Sequence, residues 1–190
     1  MRGAASMLAL ALFGGFAFPQ SQAINGEMAR ERPAGGQWQF QVSSDAMTDA
    51  QYSVFTLKAE AEIGDGISEG FPEFIIMCGG SATKPRWINS KLLSPVVLGT
   101  PDDHSIGGVP QQSVVLRADG KFHAHFWNIG DDFKTLFVDR GATEELVLAK
   151  DARIQFRGAD GLADVARFAP EGLNLRILGI ACGKLIKAKQ

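Results

Sequence analysis

From residue 38 onward, apolar and polar positions alternate in short runs rather than recurring at helical spacing. In 38–42, Trp38, Phe40 and Val42 alternate with Gln39 and Gln41, the period-two signature of a strand with one buried face. The run 53–63 is longer. It sets Phe55, Leu57, Ala59, Ala61 and Ile63 against Thr56, Lys58, Glu60 and Glu62, charges that a helix would scatter around its circumference. Behind Pro72, the segment 73–78 is nearly continuous apolar sequence of the length of a buried strand, and Gly79 and Gly80 end it. Residues 87–89, 133–139, 153–157 and 164–169 read as further strands. Residues 94–112, with Pro95, Pro101, Gly107, Gly108 and Pro110, read mostly as loop around a short strand at 96–98. The run 143–150 reads as a helix with Thr143 at its N-cap and acids in its first turn, while 173–185 fits a strand and a helix equally. Seven or more short strands between glycine and proline loops, with one or two short helices, predict a mainly β fold, an antiparallel β-sandwich.

The clearest local signal is a hairpin over 114–138. Two apolar-rich runs, 114–117 and 122–127, flank Ala118-Asp119-Gly120. A three-residue loop with Gly120 in the left-handed region would place Val114, Leu116, Phe122, Ala124 and Phe126 together on a core face. It would leave Arg117, His123, His125 and Trp127 on the other. A two-residue turn would instead set Leu116 against His123 and Arg117 against Phe122, mixing the faces.

The first 23 residues differ from the rest. Arg2, the apolar run beginning at Met7 and the small-x-small ending Ser21-Gln22-Ala23 have the form of a secretory signal cleaved near Ala23, and the run is short for a membrane span. Residues 24–37 then read as a flexible leader, and 38–190 as a single β-sandwich domain. Residues 24–190 hold 18 basic and 21 acidic side chains, a net charge of about −3 that gives no overall attraction for nucleic acid or anionic membrane. Lys184, Lys187 and Lys189 are read as cations favouring a helix C-terminus. The chain has two cysteines, Cys78 and Cys182. In a periplasmic or secreted chain they are expected to pair, the alternatives being two buried thiols or a nucleophilic Cys78.

Candidate chemistry gathers on the polar face of the hairpin. His123 and His125, two apart on a strand, can present two imidazoles to one metal ion, with His104, Asp102 or Asp103 as a third ligand. Alternatively, Arg117, His123, His125 and Trp127 form a binding surface, in which Arg offers a planar fork and Trp a flat apolar wall. The carboxylate pairs Asp102-Asp103, Asp131-Asp132 and Glu144-Glu145 read as turn and helix-start residues. The chain carries no nucleophile elbow, phosphate loop, His-Glu-x-x-His or dinucleotide fingerprint, so no catalytic residue, metal or cofactor is assigned.

The order of landmarks resembles the VasI/TagO-like accessory proteins of type VI secretion systems. The matching residues are Trp38, then 44–49, the strand 54–61, Pro72 through Cys78, and 115–120. Trp127, Leu136-Phe137, Arg167-Phe168, Gly172-Leu173 and Cys182 follow. Met77 stands where that pattern has an Arg before the first Cys. The resemblance implies a periplasmic accessory protein with no assigned catalytic residues, and a helical tail. With the signal and the cysteine pair, the reading is an exported protein that binds a protein partner in the cell envelope. A metal-dependent hydrolytic protein using His123 and His125, and a periplasmic small-ligand carrier, are the alternative readings.

Overall fold

The alternating runs become strands of one large antiparallel sheet. The computed structural model describes residues 32–45, 50–64, 68–81, 84–99, 105–106 and 108–183. The expected signal at 1–23, the loop residues 101–104 and the tail lysines lie outside the described residues. In chain order the elements are β1 (Arg32–Gly35), β2 (Trp38–Asp45), β3 (Ala50–Lys58), β4 (Ile63–Gly64), β5 (Glu69–Gly70), β6 (Glu73–Ser81) and β7 (Lys84–Leu93). There follow β8 (Ser105–Ile106), β9 (Val109–Ala118), β10 (Lys121–Ile129), β11 (Thr135–Val138), α1 (Arg140–Leu148), β12 (Ala152–Arg157), β13 (Ala163–Phe168) and α2 (Leu175–Cys182). The main sheet runs β1-β2-β3-β6-β7-β11-β10-β9-β12-β13, with β8 beside β9, and β4 and β5 form a separate ribbon.

This sheet is open but curled. The Glu60 N–H donates to the Arg167 carbonyl at 2.8 Å, bringing the end of β3 against β13 without a strand pairing that would close a barrel. The two halves thereby serve as the layers of the expected sandwich. One core cluster unites Trp38, Phe55 and Phe74 from the early strands with Ile154, Phe156 and Phe168 from the last two. The alternation expected over 53–63 holds as far as Phe55, Leu57 and Ala59, which are buried, but β3 ends at Lys58, Ala61 is exposed and Ile63 opens the separate ribbon.

Three expectations are corrected. The segment 24–37 is not wholly a leader, because Arg32–Gly35 pairs with β2 as an edge strand and Ala34 is buried. The end of the 94–112 loop belongs to β9, and Leu98 bridges Gly158. The third correction concerns the hairpin. Asp119 and Gly120 both have positive φ (49° and 86°), so the turn has two residues, and Arg117 faces Phe122 while Leu116 faces His123. Every side chain of β10 is thereby on the opposite face from the one expected. Contacts from outside the hairpin reinforce the turn. The Asp119 carboxylate accepts the N–H groups of Lys150 (2.8 Å) and Asp151 (3.1 Å), and the Asp119 N–H donates to the Asp151 carbonyl. The α1–β12 connection thus holds Asp119 in a conformation that Asp tolerates better than most residues.

Helix α1 also begins earlier than expected. Asp139, not Thr143, is the N-cap, and its Oδ1 accepts the Ala142 N–H at 2.9 Å. Thr143 is buried inside the helix, its hydroxyl donating back to the Asp139 carbonyl at 2.8 Å. The tail is helical. Asn174 caps α2 by accepting the N–H groups of Arg176 and Ile177, and the i, i+4 pair Leu178 and Cys182 is buried. Cys182 is bonded to Cys78 of β6, with Cα atoms 5.1 Å apart. Among the described residues, no helix is long and apolar enough to cross a membrane.

Candidate functional site

The two-residue turn divides the four residues singled out from the sequence. His123, His125 and Trp127 follow one another on the core side of β10, opposite Leu116, Val114 and Gln112 of β9. Arg117 is on the solvent side, its guanidinium 4.9 Å from the centre of the Phe122 ring.

The start of α1 lies against the histidine side and brings two carboxylates that the sequence did not point to. His123 Nδ1 is 2.6 Å from Glu145 Oε2, and His125 Nδ1 is 2.9 Å from Asp139 Oδ2. The same Asp139 oxygen accepts the indole N–H of the buried Trp127 at 3.0 Å. An ionised carboxylate can only accept, so Nδ1 of each histidine carries the proton, which in a neutral ring leaves Nε2 with its lone pair. His125 Nε2 is buried without a hydrogen-bond partner. His123, His125 and Glu145 each offer a ligand atom within 4.8 Å of the others'. The loop residues weighed as a third ligand, His104, Asp102 and Asp103, lie outside the described residues.

Asp139 joins these elements. Burial pushes its pKa up, but the Ala142 N–H, the Trp127 indole and the neighbouring His125 outweigh burial and hold it below the ordinary aspartate range. A carboxyl depressed on folding contributes stability that is present above the unfolded pKa, about 3.9, and is lost as pH falls through the folded value. Asp139→Ala is therefore expected to cost about 2 kcal/mol at neutral pH, from a lost helix cap and an unpaired buried indole N–H. Urea denaturation at pH 7 and at pH 3 checks this, with the gap between variant and wild type shrinking at the acid pH.

Of the carboxylate pairs, Asp131-Asp132 behaves as read from the sequence. Asp132 Oδ1 accepts the N–H groups of Lys134 and Thr135, and Oδ2 accepts the Thr135 hydroxyl at 2.7 Å, which closes a turn. Glu144-Glu145 does not. Glu144 pairs with Arg140 one turn back, while Glu145 turns to His123.

The solvent face of the hairpin is aromatic. Phe122 is 65% exposed and Phe126 55%, with Ala124 between them. Phe137, opposite Asn128 in the register, is a further 40% exposed ring. Beside this strip, Arg117, Arg153 and Arg167 stand in line across β9, β12 and β13. Arg153 and Arg167 both engage Asp151, and Arg167 also engages Glu60.

Fold and site together define a mainly β, disulfide-closed protein whose central hairpin carries an aromatic outer face and a histidine–carboxylate inner cluster. No family model, no curated protein and no solved structure matches the chain.

Proposed function

We propose that this protein is an exported, non-catalytic accessory protein that binds a protein partner in the bacterial cell envelope through the outer face of the β9–β10 hairpin. The exposure of Phe122 (65%) and Phe126 (55%) carries the reading. A solvated sheet face ordinarily presents polar side chains, and a contiguous apolar strip on such a face marks a contact surface. Arg117 beside Phe122 adds positive charge, so the matching partner face is apolar and fringed by carboxylates. The Cys78–Cys182 disulfide favours an oxidising compartment, and the likeness of the landmarks to VasI/TagO-like proteins favours the periplasm and a secretion apparatus.

A photo-reactive phenylalanine analogue at position 126, introduced into the full chain in the producing cells, tests this. The expected result is one adduct with an envelope protein, lost when Arg117→Glu and Phe122→Ser are added and absent when the analogue is at Leu148 on α1. Adducts of equal yield from both positions, adducts only with further copies of this chain, or a cytoplasmic protein with free thiols would each overturn it.

A further inference from the structure

We infer that His123, His125 and Glu145 form a binding site for a divalent transition-metal ion of the zinc type, which clips α1 to the hairpin on the side away from the aromatic strip. Three observations at the junction of β10 and α1 converge. The ligand atoms of these three side chains already lie within 4.8 Å of one another, where tetrahedral zinc with bonds of about 2.0–2.1 Å needs donors about 3.3 Å apart. Side-chain rotation alone covers that difference, because His123 and Glu145 are 47% and 36% exposed and not locked by packing.

The second observation is His125 itself. Its Nδ1 is held by Asp139, and its Nε2 is buried with no hydrogen-bond partner. A buried lone pair without a donor is costly, and a cation satisfies it. The third is the identity of the group behind that ring. A carboxylate accepting the far N–H of a ligating histidine fixes the tautomer and ring orientation and raises its basicity, which is the arrangement Asp139 provides. Asp139 is in turn fixed by the Ala142 N–H and the Trp127 indole, so the orienting group is itself oriented.

Two imidazoles and one carboxylate suit zinc better than calcium or magnesium, which prefer all-oxygen shells. On binding, the His123–Glu145 hydrogen bond opens, and the His123 ring stays neutral by carrying its one proton on the nitrogen that does not face the metal. Its other nitrogen and the Glu145 carboxylate each turn a lone pair to the metal. Three protein ligands leave a fourth position open on the exposed side of the cluster, where water or a partner's side chain completes the shell.

The experiment is calorimetric titration of the oxidised full chain with zinc chloride, repeated with magnesium chloride. One zinc per chain is expected, with a rise in Tm of several degrees at saturation and no response to magnesium. His123→Ala and Glu145→Gln, both exposed and expected to fold, should each weaken binding at least 30-fold. Asp139→Asn should weaken it by about 10–100-fold, the cost typical of a lost orienting partner. Cobalt(II) bound at the same site should show the intense visible absorption of a tetrahedral centre, and this should be lost in His125→Ala. If His125→Ala does not fold, the two exposed variants decide alone. Absence of zinc binding, or equal binding by wild type and the His123→Ala/Glu145→Gln double variant, would overturn the inference. Cross-linking from position 126 reads the opposite face, so the two proposals fail separately.

Discussion

Replacing Cys78 and Cys182 together with alanine is expected to lower the unfolding free energy by about 2–5 kcal/mol, one of the two largest single effects on this molecule. The bond joins residues 104 apart in sequence, and closing a loop of about 100 residues restricts the unfolded chain by about 4.7 kcal/mol in the entropy model. In the folded state it ties the last turn of α2 to β6, near the middle of the curled sheet. Helix α2 has only eight residues and would be marginal in isolation; Leu178, with Ile177 and Ala181 packed beside it, the Asn174 cap and the Asn174 N–H bond to the Ala34 carbonyl also hold it. Loss should therefore fall unevenly. Urea denaturation should show the drop in midpoint, and hydrogen exchange should show α2 amides opening at lower energy than those of β9 or β10. Reduction of the wild-type chain should reproduce the effect. A double-alanine chain within about 0.5 kcal/mol of the oxidised protein would mean that packing alone holds α2 in place.

Much of the sheet was legible because β-alternation is a local signal. Residues 38–42, 53–58 and 153–157 each alternate over at least five positions, and each became a strand. The apolar side is buried at Phe55, Leu57, Ile154 and Phe156, while in 38–42 Trp38 is buried, Phe40 half-buried and Val42 exposed. The edge strand β1 was not legible. Arg32-Pro33-Ala34-Gly35 has no alternation to read, and proline and glycine suggest a loop; it is a strand because β2 supplies a partner and the 172–174 backbone covers its end. The tail gave equal support to helix and strand because Leu173, Leu175 and Ile177 fit one period while Leu173, Ile177 and Ile180 fit the other. The Asn174 cap and the bond at Cys182 resolve it.

The hairpin shows where sequence reasoning failed and why. Counting apolar residues favours the register that puts Phe122 and Phe126 inside, because it assumes that the core must be filled from the hairpin's own faces. Here α1 covers the inner face and fills it with Ala142, Leu146 and Val147, so the inner face of β10 carries histidines, which find carboxylates on that helix. The turn itself was informative. Asp-Gly favours the two-residue turn in which both residues have positive φ, and that preference prevailed over facial tidiness. Glu145 reads from the sequence only as one of a helix-start pair, and nothing in the sequence sets the histidines beside Asp139 or Glu145. Their roles follow from the docking of α1 on the sheet, a long-range fact.

Trp38→Ala is the other large effect expected, about 3–5 kcal/mol, the range for removing a buried Trp or Phe side chain. Trp38 is fully buried, meets the Phe74 ring edge to face at 6.1 Å, and donates its indole N–H to the Pro170 carbonyl at 2.9 Å. It thus holds the first strands to the loop between β13 and α2. The turn just before it closes the same clasp from the backbone side. Gly35 has φ +99°, and a Cβ there would lie 2.1 Å from the Gly172 carbonyl oxygen, so no side chain fits without parting the two segments. Gly35→Ala should accordingly cost about 2 kcal/mol or more from backbone strain and the collision. Trp38→Phe should cost less than Trp38→Ala, since the ring keeps most of its contacts and only the bond to Pro170 is lost. Because Trp38 and Gly35 fasten one junction, the Gly35→Ala/Trp38→Ala double variant should lose less than the sum of the single losses when measured by urea denaturation. Strict additivity would show that the strand and the loop are held independently, and a Trp38→Ala loss below about 1 kcal/mol would show that the curled sheet keeps its ends together without the indole.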